Sequence, residues 1–111
     1  IYLINGNFKN SLMNKNLNFE NLIEVKNMKN MKDFKIFFSK IKNHDVFFSK
    51  IKVIDYIHDG RWNVILKNGQ LIKLGSYNLN KQVKYLNFIL NNLTEKIIDL
   101  RHDGRIVIAN E

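Results

Sequence analysis

Trp62-Asn63-Val64-Ile65-Leu66-Lys67-Asn68-Gly69-Gln70-Leu71-Ile72-Lys73-Leu74 is the stretch that decides the fold. Trp62, Val64 and Leu66 alternate with Asn63, Ile65 and Lys67, and that period of two predicts a strand with one large apolar face. Lys67-Asn68-Gly69-Gln70 reads as a two-residue turn, after which Leu71 to Leu74 returns as the next strand. Upstream, Ile51 to Ile57 is a third β-branched run, closed by the turn His58-Asp59-Gly60-Arg61. An Asx-Gly pair suits a type I′ turn because both central residues need positive φ. The three runs predict a meander that Gly75 ends.

On either side the periodicity changes. From Lys29 to Lys42 the apolar residues Met31, Phe34, Phe38 and Ile41, with Phe37 beside them, follow the three-four spacing of an amphipathic helix. Leu79, Val83, Leu86, Leu90 and Leu93 form a second such stripe, broadened by Ile89, with Asn78 placed to cap it and Lys81, Lys84, Asn87 and Asn91 facing water. Ile1 to Phe8 reads as a short hairpin turned at Asn5-Gly6. Residues 9 to 28 read as an Asn-rich loop pinned by Leu17, Phe19, Leu22 and Ile23. The hexapeptide Phe37-Phe38-Ser39-Lys40-Ile41-Lys42 recurs at Phe47 to Lys52. The second copy leads into β-branched sequence, so the same six residues are expected to straddle a helix end and a strand entry. The chain closes on Ile97 to Glu111, two strands joined by a tight turn at Asp103-Gly104, and the last strand lies either at a sheet edge or in its middle. The fold class predicted is α+β: an antiparallel sheet of meander plus C-terminal hairpin, with two amphipathic helices packed on one face.

Composition narrows the function classes. A chain of 111 residues with eight Phe and 45% apolar residues is one globular domain over 1–111. It starts at Ile1 rather than Met and reads as an excerpt of a longer protein. Without Cys there is neither a disulfide nor a thiolate metal site. The net charge is +8, but the lysines run from Lys9 to Lys96 on the polar positions of every element, and Ile, Lys and Asn all have AT-rich codons. The charge therefore reads first as solvated faces, with a basic nucleic-acid-binding module as the alternative.

Chemistry-bearing motifs are sparse. Each His precedes an Asp: His44-Asp45, His58-Asp59 and His102-Asp103. A metal hydrolase would use His58, Asp59, His102 and Asp103, yet two of the three pairs sit in identical His-Asp-Gly-Arg turns, where turn geometry already accounts for Asp and Gly. No nucleophile elbow, phosphate loop or dinucleotide fingerprint is present, so no catalytic, cofactor or metal residue is assigned. Tyr and Trp beside lysines suit base stacking. Trp62 and Tyr85, however, fall on the apolar faces of a strand and a helix, and core packing is the expectation for both.

The run from Arg61 to Leu74 resembles the periplasmic β-domain of the FtsQ/DivIB family of bacterial cell-division proteins. In that family an Arg-Trp-x-hydrophobic-x-Leu strand meets an Asn-Gly or Asp-Gly turn, a Lys-Leu strand and an amphipathic helix. An Ile-Asp-Leu-Arg strand then closes the domain, matched here by Ile98-Asp99-Leu100-Arg101. Tyr2-Leu3-Ile4-Asn5-Gly6 is similar to the family's opening strand and turn. The resemblance implies a non-enzymatic scaffold of the division complex at the septum, on the periplasmic face of the inner membrane, with a membrane helix and a POTRA domain preceding it. It implies binding of the division proteins FtsB and FtsL, FtsB most directly, by addition of a partner strand to the last strand. Carried onto this chain, the partner-binding residues are Arg61, Arg101, His102, Gly104, Ile106, Val107, Ile108, Ala109 and Asn110.

His102 and Asn110 stand where some relatives carry Tyr and Trp. Large aromatics are the usual anchors of an interface, so backbone pairing is left as the main source of affinity. On the terminal strand Ile106 and Ile108 share a face expected to pack on the core, and Val107 and Ala109 share the other. The strand carries no Pro and no inward charge, the usual defences of an edge against strand addition.

Overall fold

The computed structural model describes residues 2–4, 22–102 and 104–110. The Asn5-Gly6 turn, the pinning roles of Leu17 and Phe19, and Asp103 lie outside these residues. The elements in chain order are β1 (Tyr2–Ile4), β2 (Ile23–Lys26), α1 (Met31–Ile41), α2 (Asp45–Phe48), β3 (Ile51–Tyr56), β4 (Trp62–Leu66), β5 (Leu71–Leu74), α3 (Leu79–Ile89), β6 (Ile97–Asp99) and β7 (Val107–Ala109). The seven strands lie side by side in sequence order, so β7 is an edge.

The architecture is α+β, with two departures from a purely antiparallel sheet. β2 pairs with β3 in parallel, as does β5 with β6, while the other neighbours are antiparallel. The cause is the helices: α1 and α2 separate β2 from β3, and α3 separates β5 from β6. A helical crossover carries the chain back to its starting end, so the next strand runs the same way. The expected loop over residues 9–28 is corrected too, since Ile23–Lys26 is strand β2, with Ile23 and Val25 buried. Its period of two spans only four residues in an Asn-rich setting, too short to stand out.

α1 begins where Asn30 accepts a hydrogen bond from the Asp33 amide at 2.7 Å, and it buries Phe34, Phe37, Phe38 and Ile41. Phe37 stacks on Trp62 of β4 with ring centroids 4.4 Å apart, and Tyr56 meets the same indole edge-on at 4.9 Å. The duplicated hexapeptide takes two forms as expected. Its first copy lies largely in α1, while the second ends α2 with Phe47-Phe48 and opens β3 with Ile51-Lys52.

α3 buries Leu79, Val83 and Leu86, followed by Leu90, but its start differs from expectation. Asn78 sits at φ 52° and makes no side-chain capping bond. The buried Gln82 does that work from within the helix. Its Oε1 accepts the Gly75 amide at 3.0 Å, and its Nε2 donates to the carbonyls of Gly75 and Tyr77. The expected core role of Tyr85 is also corrected, because the ring is half exposed, whereas Trp62 is buried.

The register gives one continuous core row: Val25, Ile54, Val64, Ile72, Ile98 and Ile108 are successive cross-strand partners from β2 to β7. The first five are at most 1% exposed. Ile108, the sixth, is 46% exposed. Packing of Ile108 on the core, expected from its face, is thus corrected: the face is right, but the side chain is left half exposed at the sheet edge. Ile106 is half-buried against the core.

The candidate partner-binding edge

Three chain segments meet at the end of the sheet that precedes β7: the β3–β4 turn, the link from β5 to α3, and the loop 100–106. The turn has the positive φ angles read from sequence, although the Ile57 amide's bond to the Arg61 carbonyl leaves three residues, 58–60, between the closing pair. Asp59 and Gly60 have φ of 51° and 75°, and the Arg61 amide donates to the His58 carbonyl at 2.9 Å. A Cβ on Gly60 would stand 2.8 Å from that of Ser76, and one on Gly75 would stand 3.4 Å from the Arg101 side chain. Both glycines are therefore close-packing positions, and residues 75–76 lie between the turn that carries Arg61 and the loop that carries Arg101. By contrast, the Asn68-Gly69 turn is a three-residue loop. Only Gly69 has positive φ there, with the Leu66 amide bonded to the Gln70 carbonyl, so the two-residue reading is corrected.

The terminal hairpin is wider than expected. β6 ends at Asp99 and β7 starts at Val107, so seven residues intervene, with the expected turn, in which the Arg105 amide bonds the His102 carbonyl at 3.4 Å, inside that wider loop, and the strand is Val107–Ala109 rather than Ile106 to Asn110. The loop is organised by Asp99. Its Oδ1 accepts the Arg101 amide at 3.0 Å and the Arg101 Nε at 2.9 Å, and its Oδ2 accepts Nη2 at 2.7 Å. The His102 Nε2 stands 3.5 Å from the same oxygen. Burial opposes ionisation of Asp99, but the Arg101 hydrogen bonds, with the charges of Arg101 and His102, outweigh it and hold the carboxyl at about 2.

The hydrogen-bond direction along β6 decides which groups of β7 are free. The Leu71 amide donates to the Lys96 carbonyl and the Leu100 amide donates to the Lys73 carbonyl, so even-numbered residues of β6 face β5. Ile97 and Asp99 then face β7, where their partners are Ala109 and Val107. In an antiparallel ladder such pairs spend their amide and carbonyl on each other, and the residue between them points both groups away. That residue is Ile108. Its side chain ends the core row and its backbone faces outward.

The nine residues singled out from sequence divide accordingly. Ile106, Val107, Ile108, Ala109 and Asn110 follow one another along the edge, and the three of β7 are exposed. Asn110 turns inward: its Oδ1 accepts the Lys96 amide at 3.3 Å and closes the far end of the hairpin. Arg101, His102 and Gly104 belong to the loop, with Gly104 at φ 74°. Arg61 is exposed on its own turn across residues 75–76. Loop and α3 enclose a groove of about 380 Å³, whose lining includes Tyr77, Lys81, Tyr85, His102, Arg105 and Ile106. The groove roles of Tyr77 and Tyr85 were not read from sequence. The spacing of Lys81 and Tyr85 puts both on one face of α3, whereas Tyr77 precedes the helix and carried no periodic signal.

The His58-Asp59 pair stays local. The His58 Nδ1 lies 3.2 Å from the carboxylate of Asp59 on an exposed turn. Among the described residues, no group of three or more His, Asp or Glu converges as a metal site would require.

Residues 9–101 match the family model described as cell division protein FtsQ/DivIB, C-terminal. The chain belongs to the FtsQ/DivIB family. The match spans β2 through β6 and makes this a cell-division protein. It stops at Arg101, before β7. No curated protein matches the chain. Among the described residues, no helix is long and apolar enough to cross a membrane.

Proposed function

We propose that this FtsQ/DivIB-family chain is a non-enzymatic scaffold domain of the division complex, and that it takes up a strand of an FtsB- or FtsL-type partner along β7. The parent protein, in this reading, is membrane-anchored and displays the domain on the periplasmic side at the septum. The observation that carries the proposal is Ile108. It ends a row of five buried residues with a half-exposed side chain, and its amide and carbonyl point outward. An added strand would satisfy both groups and extend the core row by one residue, which is the physics of β-augmentation.

The groove beside α3 supports the same reading. Apolar contact there comes from Tyr77, Tyr85 and Ile106, so α3 and the turn before it supply rings at an interface whose loop carries His102 and whose last strand leads to Asn110. Lys81, Arg101 and Arg105 line it with no acidic residue among the described lining, which fits a partner segment bearing acidic residues. The nucleic-acid reading keeps one observation, the exposure of Tyr85 and Phe88 beside Lys81 and Lys84. Membership of a cell-division family weighs against it.

The test uses the direction of the Ile108 amide. Ile108→Pro removes a donor that faces away from β6, so the fold is kept and the domain is expected to lose binding to FtsB of the same genome, measured by calorimetric titration. Val107→Pro removes a donor that faces β6 and is expected to loosen the hairpin itself. Wild-type affinity in a folded Ile108→Pro domain would overturn the proposal.

A further inference from the structure

The chain contains an internal control for its terminal hairpin. His58-Asp59-Gly60-Arg61 and His102-Asp103-Gly104-Arg105 are the same tetrapeptide, and both lie between antiparallel neighbours. In both, the Arg amide returns to the His carbonyl, at 2.9 Å for Arg61 and 3.4 Å for Arg105. The register also matches, since Tyr56 opposes Trp62 six residues on, and Leu100 would oppose Ile106 at the same offset. Yet the first hairpin pairs right up to its turn, whereas the second stops at Asp99 opposite Val107.

One hydrogen bond accounts for the difference. In the first hairpin the Ile57 amide donates to the Arg61 carbonyl at 2.9 Å, which closes the ladder beside the turn. Its counterpart in the second is the Arg101 amide, and that amide goes to the Asp99 carboxylate at 3.0 Å. The residue two positions before Ile57 is Asp55, which also carries a carboxylate. Asp55 is engaged elsewhere, accepting from the Asn27 side chain of the β2 end at 2.7 Å. Asp99 has no such neighbour, because the residue in the place of Asn27, one beyond its parallel partner on β5, is Leu74. Its second oxygen takes the Arg101 guanidinium, so backbone and side chain of Arg101 are both held.

We infer that Asp99 is a positioning residue for partner binding: by capturing the Arg101 amide it keeps the terminal hairpin unzipped, so that loop 100–106 stands open as one wall of the groove against α3. This inference rests on the reading of β7 as the partner site. Without the capture, Leu100 would pair with Ile106 and Arg101 with Arg105, as Tyr56 pairs with Trp62 and Ile57 bonds to Arg61. Ile106 and Arg105 would then be drawn into the ladder and the groove would lose that wall. Arg101 keeps Nη1 outside the clasp, as the one guanidinium nitrogen not bonded to Asp99.

The experiment compares Asp99→Ala with Asp99→Asn in the whole chain. Asn keeps an oxygen that accepts the Arg101 amide, and Ala does not. Hα–Hα contact between Leu100 and Ile106 in an NMR spectrum reports zipping and needs no partner. We expect that contact in Asp99→Ala and its absence in wild type and Asp99→Asn. FtsB affinity is expected to fall about tenfold or more in Asp99→Ala and to stay within about threefold in Asp99→Asn, a factor of ten being about 1.4 kcal/mol. An Asp99→Ala domain that stays open overturns the inference, as does one that zips and binds FtsB like wild type. Failure of the wild type to bind FtsB would overturn the partner reading, and with it the positioning role. The zipping comparison would then decide the structural role of Asp99 alone.

Discussion

Asp99 is nearly buried, yet its charge is retained because the groups around it favour the ionised form. A carboxylate held at about 2 when folded and near 3.9 when unfolded stabilises the fold at every pH above the unfolded value. The contribution is lost as pH falls from about 4 to about 2. From a downward shift of this size the contribution is about 2 kcal/mol. Urea unfolding followed across that window is expected to show the domain weakening in acid, and an Asp99→Asn domain is expected to have lost the part of the slope due to this group. His102 lies against the same oxygen, so its removal alone is expected to leave the Arg101 clasp in place. At this scale the sequence was half legible. Asp59-Gly60 announced its turn because the backbone there needs positive φ at both residues. Nothing in Ile98-Asp99-Leu100-Arg101 announces that the carboxylate bonds an amide two residues on, since an Asp before an Arg reads equally well as surface charge.

At the scale of elements, strand and helix identity followed periodicity, and the misreadings cluster where one long-range contact decides. The start of α3 depends on Gln82, which reaches back to Gly75 and Tyr77 and substitutes for the cap that Asn78 does not provide. Replacing Gln82 by Ala strands the Gly75 amide and carbonyl in a buried site. That is expected to cost about 2 to 3 kcal/mol, from the penalty of unpaired buried polar groups, measured as a fall in the denaturation midpoint with the slope unchanged. An Asn78→Ala domain is expected to differ little by comparison. β2 escaped notice because four residues of alternation carry little signal, and its partner β3 lies 29 positions away, as in the pairing of Val25 with Ile54. The parallel joints were hidden for a related reason: strand direction depends on where a crossover helix returns the chain, which local pattern does not encode.

For the whole molecule, the sheet is a stack of rows whose ends differ. The row through Val25, Ile54, Val64, Ile72 and Ile98 is buried in the core, and it runs out on β7 at the half-exposed Ile108. That the last strand is an edge was one of two readings the sequence left open, and only the strand order closes it. That His102 and Asn110 bring no large aromatic ring to this edge was legible in the sequence. The rings across the groove, Tyr85 on α3 and Tyr77 just before it, became visible only when that side of the helix was seen turned toward the loop rather than the core. Exchange of the β7 amides with deuterium tests the central claim most directly. In the free domain the amides of Val107 and Ala109 should exchange slowly, being bonded to β6, and that of Ile108 quickly. On addition of FtsB the Ile108 amide is predicted to become protected in step with saturation. Saturated FtsB binding with Ile108 still exchanging at its free rate would contradict the account.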